Sequence, residues 1–300
     1  MKRVVSVSLG GSDRNKSVEA EFLGEKFQIE RIGTDGSIDK AIALIKELDG
    51  KVDAFGMGGI DLYIYIGRRR YVLRDATRIR KAATKSPMVD GTGVKQTFER
   101  TIVDYLKKEH GIDFKGKKVF DVCAVSRYGL AEALAESGAE CVFGDLMFIL
   151  GVGTPIRSLS MLGGIATVIA PAVTLLPIGM LYPTGEGQDE IKPKWEKFYE
   201  WADVLAGDWH YIHHHMPENV AGKMVITNTT TAKDVEFLKS RGITTLVTTS
   251  PDMEGRSFGA NVIEGVIVAL AGKRPEDMTS EDYLSMSKQM GLKPGVKQLN

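Results

Sequence analysis

The chain has 300 residues, and 39 Lys and Arg balance 39 Asp and Glu, so that the formal net charge is zero. This length suits two domains, and the charge balance lacks the basic excess with which nucleic-acid-binding proteins hold phosphates. A small molecule is the expected partner, and a nucleic acid is not.

The first third of the chain alternates strand and helix patterns. RVVSVSL and KFQIERIG alternate as strands, and the N-terminus lacks the apolar block of a signal peptide. The segment SIDKAIALIKELDG places Ile38, Ile42, Ile45 and Leu48 at helical spacing, and VDAFGMGG follows as a strand. These patterns predict an α/β fold and a cytoplasmic protein.

A hairpin and two helices are expected next. LYIYIG and RRYVLR flank a Gly-Arg pair, which predicts a β-hairpin with a charged tip. A basic helix is expected from about Thr77 to Lys85. After the segment Asp90-Gly91-Thr92-Gly93, a further helix has one apolar face, formed by Val94, Phe98, Ile102 and Tyr105.

The second half repeats the alternation, which predicts a doubly wound parallel sheet. Its strands are expected in KVFDVCAV, ECVFGD, ADVLAG, GKMVITN and TTLVTTS, and the last long helix, FGANVIEGVIVALAG, is apolar enough to pack back across the domain boundary. The two cysteines have no metal-site or disulfide spacing. We expect an N-terminal α/β substrate domain over residues 1–112, a Rossmann-like dinucleotide-binding domain over 113–272 and a C-terminal helical tail over 273–300.

The turn AVSRYG resembles a degenerate form of the dinucleotide-binding fingerprint. Ala124, Ser126 and Gly129 stand where that motif has its three glycines, at a strand-to-helix junction where phosphates bind. Asp145 ends the next strand, where a carboxylate accepts hydrogen bonds from ribose and repels a 2′-phosphate, so NAD is favoured over NADP. The predicted cofactor-binding residues are Ala124, Ser126, Arg127, Tyr128, Gly129, Asp145, Asn228, Thr229 and Thr248.

The order of these motifs resembles the shikimate/quinate dehydrogenase family, which carries an Asp-Gly-x-Gly segment shortly before its cofactor fingerprint. Asp90 to Gly93 matches that segment, with Val94 in place of the family's aromatic residue. The resemblance implies a substrate domain, a nucleotide domain, and a C-terminal helix that returns to the first. It also implies that Asp90 acts on the substrate, and Lys85 is the nearest candidate for the family's catalytic lysine.

A lysine beside a carboxylate suits proton exchange with a substrate oxygen during hydride transfer. Asp90 with Lys85 or Lys95 is the predicted catalytic pair, although Asp90 could equally cap the helix that follows it. Polar strand ends supply further candidates, because ligands bind outside the carboxyl ends of parallel strands. Thr92 and Arg256 are the predicted substrate-binding residues.

Two segments leave alternatives open. His210, His213, His214 and His215 follow a predicted strand, where alternation would send His213 and His215 to one face, but without an acidic ligand at a definite spacing we expect no metal site. Residues 158–185 carry no charge and are long enough to span a bilayer. Their three prolines favour a buried helix with an apolar lid or subunit contact instead.

The sequence thus predicts an NAD-dependent oxidoreductase, acting as a homodimer on a small polar alcohol or carbonyl compound. One alternative is a non-catalytic Rossmann-like protein that binds a nucleotide. Another is a reductase with an apolar acyl substrate that residues 158–185 would enclose.

Overall fold

The computed structural model describes residues 1–66, 69–181, 190–250, 252–253, 256–257 and 259–300. Side chains are described for the same residues except 181, 252–253 and 256–257. The tip of the predicted hairpin, the end of the uncharged segment and the side chain of Arg256 lie outside the described residues.

The N-terminal part of the chain forms a sheet and a hairpin. Its elements are β1 (Lys2–Ser8), β2 (Lys16–Phe22), β3 (Glu25–Gly33), α1 (Ile38–Leu48), β4 (Ala54–Gly58), β5 (Tyr63–Ile66), β6 (Arg69–Val72), α2 (Arg74–Arg80) and β7 (Met88–Val89). Helix α1 begins where the side chain of Ser37 accepts a hydrogen bond from the amide of Lys40. The predicted hairpin is confirmed, because β5 pairs with β6 in antiparallel register.

The first sheet has the strand order β2-β3-β1-β4-β7. Strands β3, β1, β4 and β7 are parallel, and β2 is an antiparallel edge strand paired with β3. We did not predict β2, whose sequence KSVEAEF carries three charges and buries only Val18. An edge strand with one buried side chain gives a weak apolar pattern, which explains the omission.

The remaining chain adds the second sheet and most of the helices. Its elements are α3 (Thr92–Thr97), α4 (Ile102–His110), β8 (Lys118–Asp121), α5 (Tyr128–Glu136), β9 (Glu140–Phe143), α6 (Asp145–Leu150), α7 (Leu159–Val173), α8 (Ile178–Leu181), α9 (Glu196–Trp201), β10 (Val204–Ala206), α10 (Trp209–His215), β11 (Met224–Thr227), α11 (Ala232–Ser240), β12 (Thr245–Thr248), β13 (Asp252–Met253), β14 (Arg256–Ser257), α12 (Ala260–Ala271), α13 (Ser280–Gln289) and β15 (Gly295–Gln298).

The second sheet has the order β15-β12-β11-β10-β8-β9, and all of its strands except β15 are parallel. Helices pack on both of its faces: α4 and α5 belong to one core cluster, and α9, α10 and α11 to another. The predicted α/β class with a doubly wound parallel sheet is therefore confirmed. The tail after residue 272 holds a helix, α13, and a strand, β15, that completes this sheet.

Helix α12 joins the C-terminal part of the chain to the first sheet, as its apolar sequence predicted. Its buried residues share a core cluster with strand residues such as Val4, Phe27 and Ala54. Tyr283 of α13 belongs to the same cluster. Residues from both ends of the sequence therefore build the first domain's core.

The uncharged segment forms helices α7 and α8 over its described part. In α7 only Leu162 and Ala170 are buried, and Val168 is 79% exposed, so the expectation of a buried helix was wrong. Pro171 stands in the last turn of α7. Across the described residues, no helix is long and apolar enough to cross a membrane.

Candidate active site

A cleft lies between the carboxyl ends of the two parallel sheets. In the first sheet, β1 is flanked by β3 and β4, and in the second, β8 is flanked by β9 and β10. The chain reverses its winding direction at both places, and ligands of doubly wound sheets bind at such switch points. The cleft has a volume of about 210 Å³ and receives residues from both sheets, which suits a small metabolite.

Many charged and polar side chains line the cleft, and the basic ones outnumber the acidic ones. The basic side chains on its walls are Arg14, Lys16, Arg31, Lys95, Arg127 and His210, against the acidic Asp61, Asp90 and Asp208. Hydroxyl and amide groups fill the spaces between the charges, including those of Ser6, Ser126, Asn228 and Asn261. A lining of this kind favours a hydroxylated anionic ligand over an apolar one.

A lysine and an aspartate form an ion pair in the wall of the cleft. The ammonium of Lys95, on helix α3, donates a hydrogen bond to Oδ1 of Asp61, and the two side chains are only 12% and 14% exposed. Burial acts to lower the pKa of Lys95, but Asp61 and Asp90 outweigh it and the pKa lies above its ordinary value. Lys95 is therefore a charged donor at neutral pH.

Asp90 hydrogen-bonds to backbone amides, which is closer to the helix-capping role that the sequence left open than to the catalytic one. Its Oδ2 accepts hydrogen bonds from the amides of Leu62 (2.7 Å) and Tyr63 (3.0 Å), and its Oδ1 accepts one from Thr92 (3.0 Å). The carboxylate thus ties the loop that carries Asp61 to the start of the helix that carries Lys95. The predicted Asp90–Lys95 pair is corrected to Asp61–Lys95, with Asp90 as a nearby charge.

Lys85, the other predicted catalytic lysine, lies outside the cleft. It is exposed, and its backbone amide, like those of Thr84 and Ser86, donates to the carboxylate of Asp49 at the end of α1. This anchoring holds the segment away from Asp90. The catalytic role predicted for Lys85 is therefore not supported by its position.

Two amides of the turn after β8 donate to a carboxylate instead of facing a phosphate. Asp145, predicted to bind ribose, is buried and accepts hydrogen bonds from the amides of Ala124 (3.2 Å) and Val125 (2.9 Å). A pyrophosphate at this turn would meet that carboxylate instead of backbone donors. The residues of the turn do not fit a dinucleotide in the way that the fingerprint predicted, and Asp145 and Ala124 are structural.

Gly129 serves the approach of two helices. A Cβ atom at this position would lie 2.6 Å from the carbonyl oxygen of Lys95, so only glycine lets α5 lie against α3 here. Tyr128 is buried beside it and does not line the cleft. Gly129, the third residue of the apparent fingerprint, therefore allows α5 to pack against the helix that carries Lys95.

Arg127 lies in the floor of the cleft and is held by acids. It is 2% exposed, forms an ion pair with Glu99, which is fully buried, and lies 3.8 Å from Oδ2 of Asp208. Burial acts to lower its pKa, but Glu99 and Asp208 raise it above the ordinary value. The charge predicted to compensate a phosphate is thus largely balanced by carboxylates.

The polar strand ends of the second sheet contribute unequally. Asn228 and Thr229 line the cleft, as predicted, and Asn228 is fixed by donating to Asp208 (2.8 Å) and accepting from the amide of Trp209 (3.0 Å). Thr248 is buried and donates to the carbonyl of Ser250, away from the cleft. Thr92 faces a different cavity.

The four clustered histidines occupy helix α10 instead of an extended segment, so the expectation that alternation would pair His213 with His215 was wrong. His210 reaches the cleft, whereas His215 stacks on Phe148. Within the described ranges, no group of three His, Cys, Asp or Glu residues could hold a metal ion.

Two buried acids lie beneath the cleft. Asp121, at the end of β8, accepts a hydrogen bond from the amide of Cys123, and burial together with the nearby Asp145 raises its pKa to about 7. Burial raises the pKa of Asp145 to about 6. The two carboxyls are therefore partly protonated near neutral pH.

Sequence reasoning missed the N-terminal wall of the cleft. Ser6, Arg31 and Asp61 follow or end strands of the first sheet, and Asn261 begins α12 and donates to Ser6 Oγ (2.7 Å). The signal was present as two Gly-Gly pairs, one at residues 10–11 shortly after β1 and one at residues 58–59 at the end of β4. Paired glycines at the carboxyl ends of adjacent strands are typical of a close ligand approach.

Two family models match the chain. One, described as Domain of unknown function (DUF8754), matches residues 93–299, and another, described as Domain of unknown function (DUF8753), matches residues 3–90. The search of curated proteins found no match.

Several solved structures are similar over most of the chain at low identity. A galactofuranose binding protein is 12% identical with a TM-score of 0.36, covering 97% of this chain and 100% of its own. The NAD-dependent malic enzyme of Thermotoga maritima is 13% identical with a TM-score of 0.37, covering 96% and 84%. The L-tryptophan dehydrogenase of Nostoc punctiforme is 11% identical with a TM-score of 0.37, covering 96% and 80%.

Proposed function

The chain belongs to the family described as Domain of unknown function (DUF8754). From the residues of the cleft, we propose that it is an enzyme that transfers a proton to or from a small, hydroxylated, anionic substrate. The Lys95–Asp61 ion pair, placed where the switch points of two parallel sheets face each other, is the observation that carries this proposal.

The N-terminal wall supports the binding of an anion. Arg31 donates to the carbonyl of Gly11 (3.0 Å) and to Oγ of Ser8 (3.1 Å), which are neutral acceptors that do not cancel its charge. Burial and the nearby Arg14 lower its pKa to about 10, so it stays charged at neutral pH. The first turn of α12, at Ala260 and Asn261, lines the same wall and adds the positive end of a helix dipole.

Lys95 is the group that we assign to proton transfer. Its ammonium is held by Asp61 in a fixed orientation at the cleft wall, and it remains protonated at neutral pH. It can therefore donate a hydrogen bond to a carbonyl or hydroxyl oxygen of the substrate, and a proton to a carbonyl oxygen on which negative charge develops during the reaction. Asp61 orients the ammonium and stabilises its charge, a role of the kind that carboxylates play beside catalytic bases.

The narrower proposal is an NAD-dependent oxidoreductase for a small polar alcohol or carbonyl compound, of the shikimate/quinate dehydrogenase kind. The Lys95–Asp61 pair favours it, because such a pair suits alcohol and carbonyl chemistry. The turn that contains Ala124 gives it no support, since Asp145 holds the amides of that turn. Calorimetric titration with NAD and NADH tests it: this narrower proposal requires binding that Ser126→Trp abolishes, and the absence of binding to either compound contradicts it.

The broader proposal is tested by separating binding from turnover. A panel of small hydroxy acids and sugar phosphates is screened by calorimetry, and each compound that binds is incubated with the protein and followed by mass spectrometry. We expect Lys95→Met to lower turnover by about 10²- to 10⁴-fold, the usual contribution of acid–base catalysis. Lys85→Met is the matched control, because Lys85 is exposed and lies outside the cleft.

Lys95→Met leaves the carboxylate of Asp61 without its partner. The double variant Lys95→Met/Asp61→Asn removes both charges and therefore serves as the control for folding. Turnover that survives in both variants contradicts the role of Lys95. A ligand that binds in the cleft but is never converted, across the whole panel, would identify a binding protein instead of an enzyme.

A further inference from the structure

A second cavity lies on the other side of helix α3 from the cleft. It has a volume of about 710 Å³ and lies between the β5–β6 hairpin, α3 and the C-terminal helices α12 and α13. Lys95 lines the cleft, whereas Gly93, Gln96 and Thr97 of the same helix line this cavity. Its volume falls within the range of about 300–1000 Å³ that is usual for sites of drug-sized ligands and cofactors.

A buried acid with an unused oxygen lies at the base of this cavity. Oε1 of Glu264 accepts hydrogen bonds from the hydroxyl of Tyr283 (2.8 Å) and the amide of Gly93 (3.2 Å), and the residue is 4% exposed. Its Oε2 has no hydrogen-bond partner among the described residues. This oxygen is itself shielded from solvent and lies near the amide of Gly91, so as the side chain stands it does not face the cavity.

The surroundings of Glu264 also set its protonation state. Burial and the nearby Asp90 raise the pKa of Glu264 to about 8, so the carboxyl is mostly protonated at neutral pH. A protonated carboxyl has a hydroxyl to donate, because Oε1 is already occupied by two donors. Gly93 permits this arrangement, since a Cβ atom there would lie 2.4 Å from the Tyr283 ring.

The walls combine aromatic rings with guanidinium groups. Tyr63, Tyr65 and Tyr283 line the cavity, and the guanidinium of Arg70 lies over the ring of Tyr63, 4.6 Å from its centre. A guanidinium that lies over an aromatic ring has its N–H groups in its own plane, where they can still bind phosphate or carboxylate. Arg80 and Arg100 line the cavity too, each in an ion pair with a glutamate.

We propose that this cavity is a second ligand site, which binds a nucleotide-sized molecule that combines a flat ring with a phosphate. Tyr63 and Tyr65 receive the ring, and Arg70 binds the phosphate. The site does not depend on the chemistry proposed for the cleft, although both cavities share Asp90.

Isothermal titration of the 300-residue protein with AMP, ATP, adenosine and inorganic phosphate tests this proposal. We expect AMP or ATP to bind, and adenosine and phosphate to bind at least tenfold more weakly, because each offers half of the recognised chemistry. Arg70→Gln should raise the dissociation constant at least tenfold. Arg69→Gln is the matched control, since Arg69 is exposed, precedes Arg70 on β6 and does not line the cavity.

Four results would overturn the proposal: no binding of either nucleotide at millimolar concentration, equal effects of the two arginine variants, phosphate binding as tightly as AMP, and a loss of nucleotide binding in Lys95→Met equal to that in Arg70→Gln. The last would place the nucleotide in the cleft. The cleft proposal fails separately, through turnover that Lys95→Met leaves intact, so the two failures are distinguishable.

Discussion

Asp121 offers a direct test of the buried acids beneath the cleft. It is fully buried, and the oxygen that does not accept from Cys123 has no partner among the described residues. Its pKa is raised from about 3.8 to about 7, by burial first and by Asp145 second. The folded protein therefore binds a proton at Asp121 more tightly than the unfolded chain does.

The direction in which stability changes with pH follows from this difference in proton affinity. The protonated carboxyl is favoured in the folded state, so the stability that it contributes is complete below pH 4 and is lost as the pH rises through about 7. At about 1.4 kcal/mol for each pH unit between the two pKa values, the contribution of Asp121 to the free energy of unfolding falls by about 4 kcal/mol over this range. The substitution Asp121→Asn keeps the shape of the protonated acid and cannot ionise.

Urea denaturation of the wild type and of Asp121→Asn at pH values from 4 to 8 measures the effect. We expect equal stabilities near pH 4 and a variant that is more stable than the wild type by about 3–4 kcal/mol at pH 8. Asp104→Asn, at an exposed position on α4, removes the same charge and should show no such divergence. A difference between wild type and Asp121→Asn that stays constant with pH would refute the reasoning.

Two further predictions concern the supports of the cleft. Arg127→Met should lower the free energy of unfolding by about 3–5 kcal/mol in urea denaturation, because it leaves Glu99 buried and unpaired. Adding Glu99→Gln should recover part of this loss, and a single-variant loss below about 1 kcal/mol would contradict the buried pair. Gly129→Ala should lower the free energy of unfolding by about 1–3 kcal/mol, because the added methyl group separates α5 from α3. It should also weaken ligand binding in the cleft, because it displaces Lys95. Unchanged stability and binding would contradict the helix contact.

Sequence patterns were sufficient for the parts of the fold that repeat. The alternation in β1, the helical spacing in α1 and the apolar run of α12 are local signals, and each predicted its element within a few residues. Helix α10 was missed because its histidines and aromatic residues lack a clear apolar period. The exposure of α7 was missed because an all-apolar sequence does not show which face is covered.

The site was harder to predict, because its residues depend on long-range contacts. Lys95 was identified, but its partner was not, since Asp61 and Asp90 both follow strands of the first sheet and only the fold decides which one reaches the ammonium. Asp145 has the position of a ribose ligand in the sequence and the contacts of a turn anchor in the structure. An acidic residue after a strand serves either purpose, and spacing alone does not distinguish them.

The return of α12 to the first sheet has a consequence for biosynthesis. The strands of that sheet are complete at Val89, but the helix that covers their Val4 and Ala54 face begins only at Ala260. A nascent chain therefore exposes this apolar face while the five parallel strands of the second sheet are being synthesised. Chaperone binding to ribosome-bound chains should persist until α12 has emerged, and fragments that end before it should aggregate.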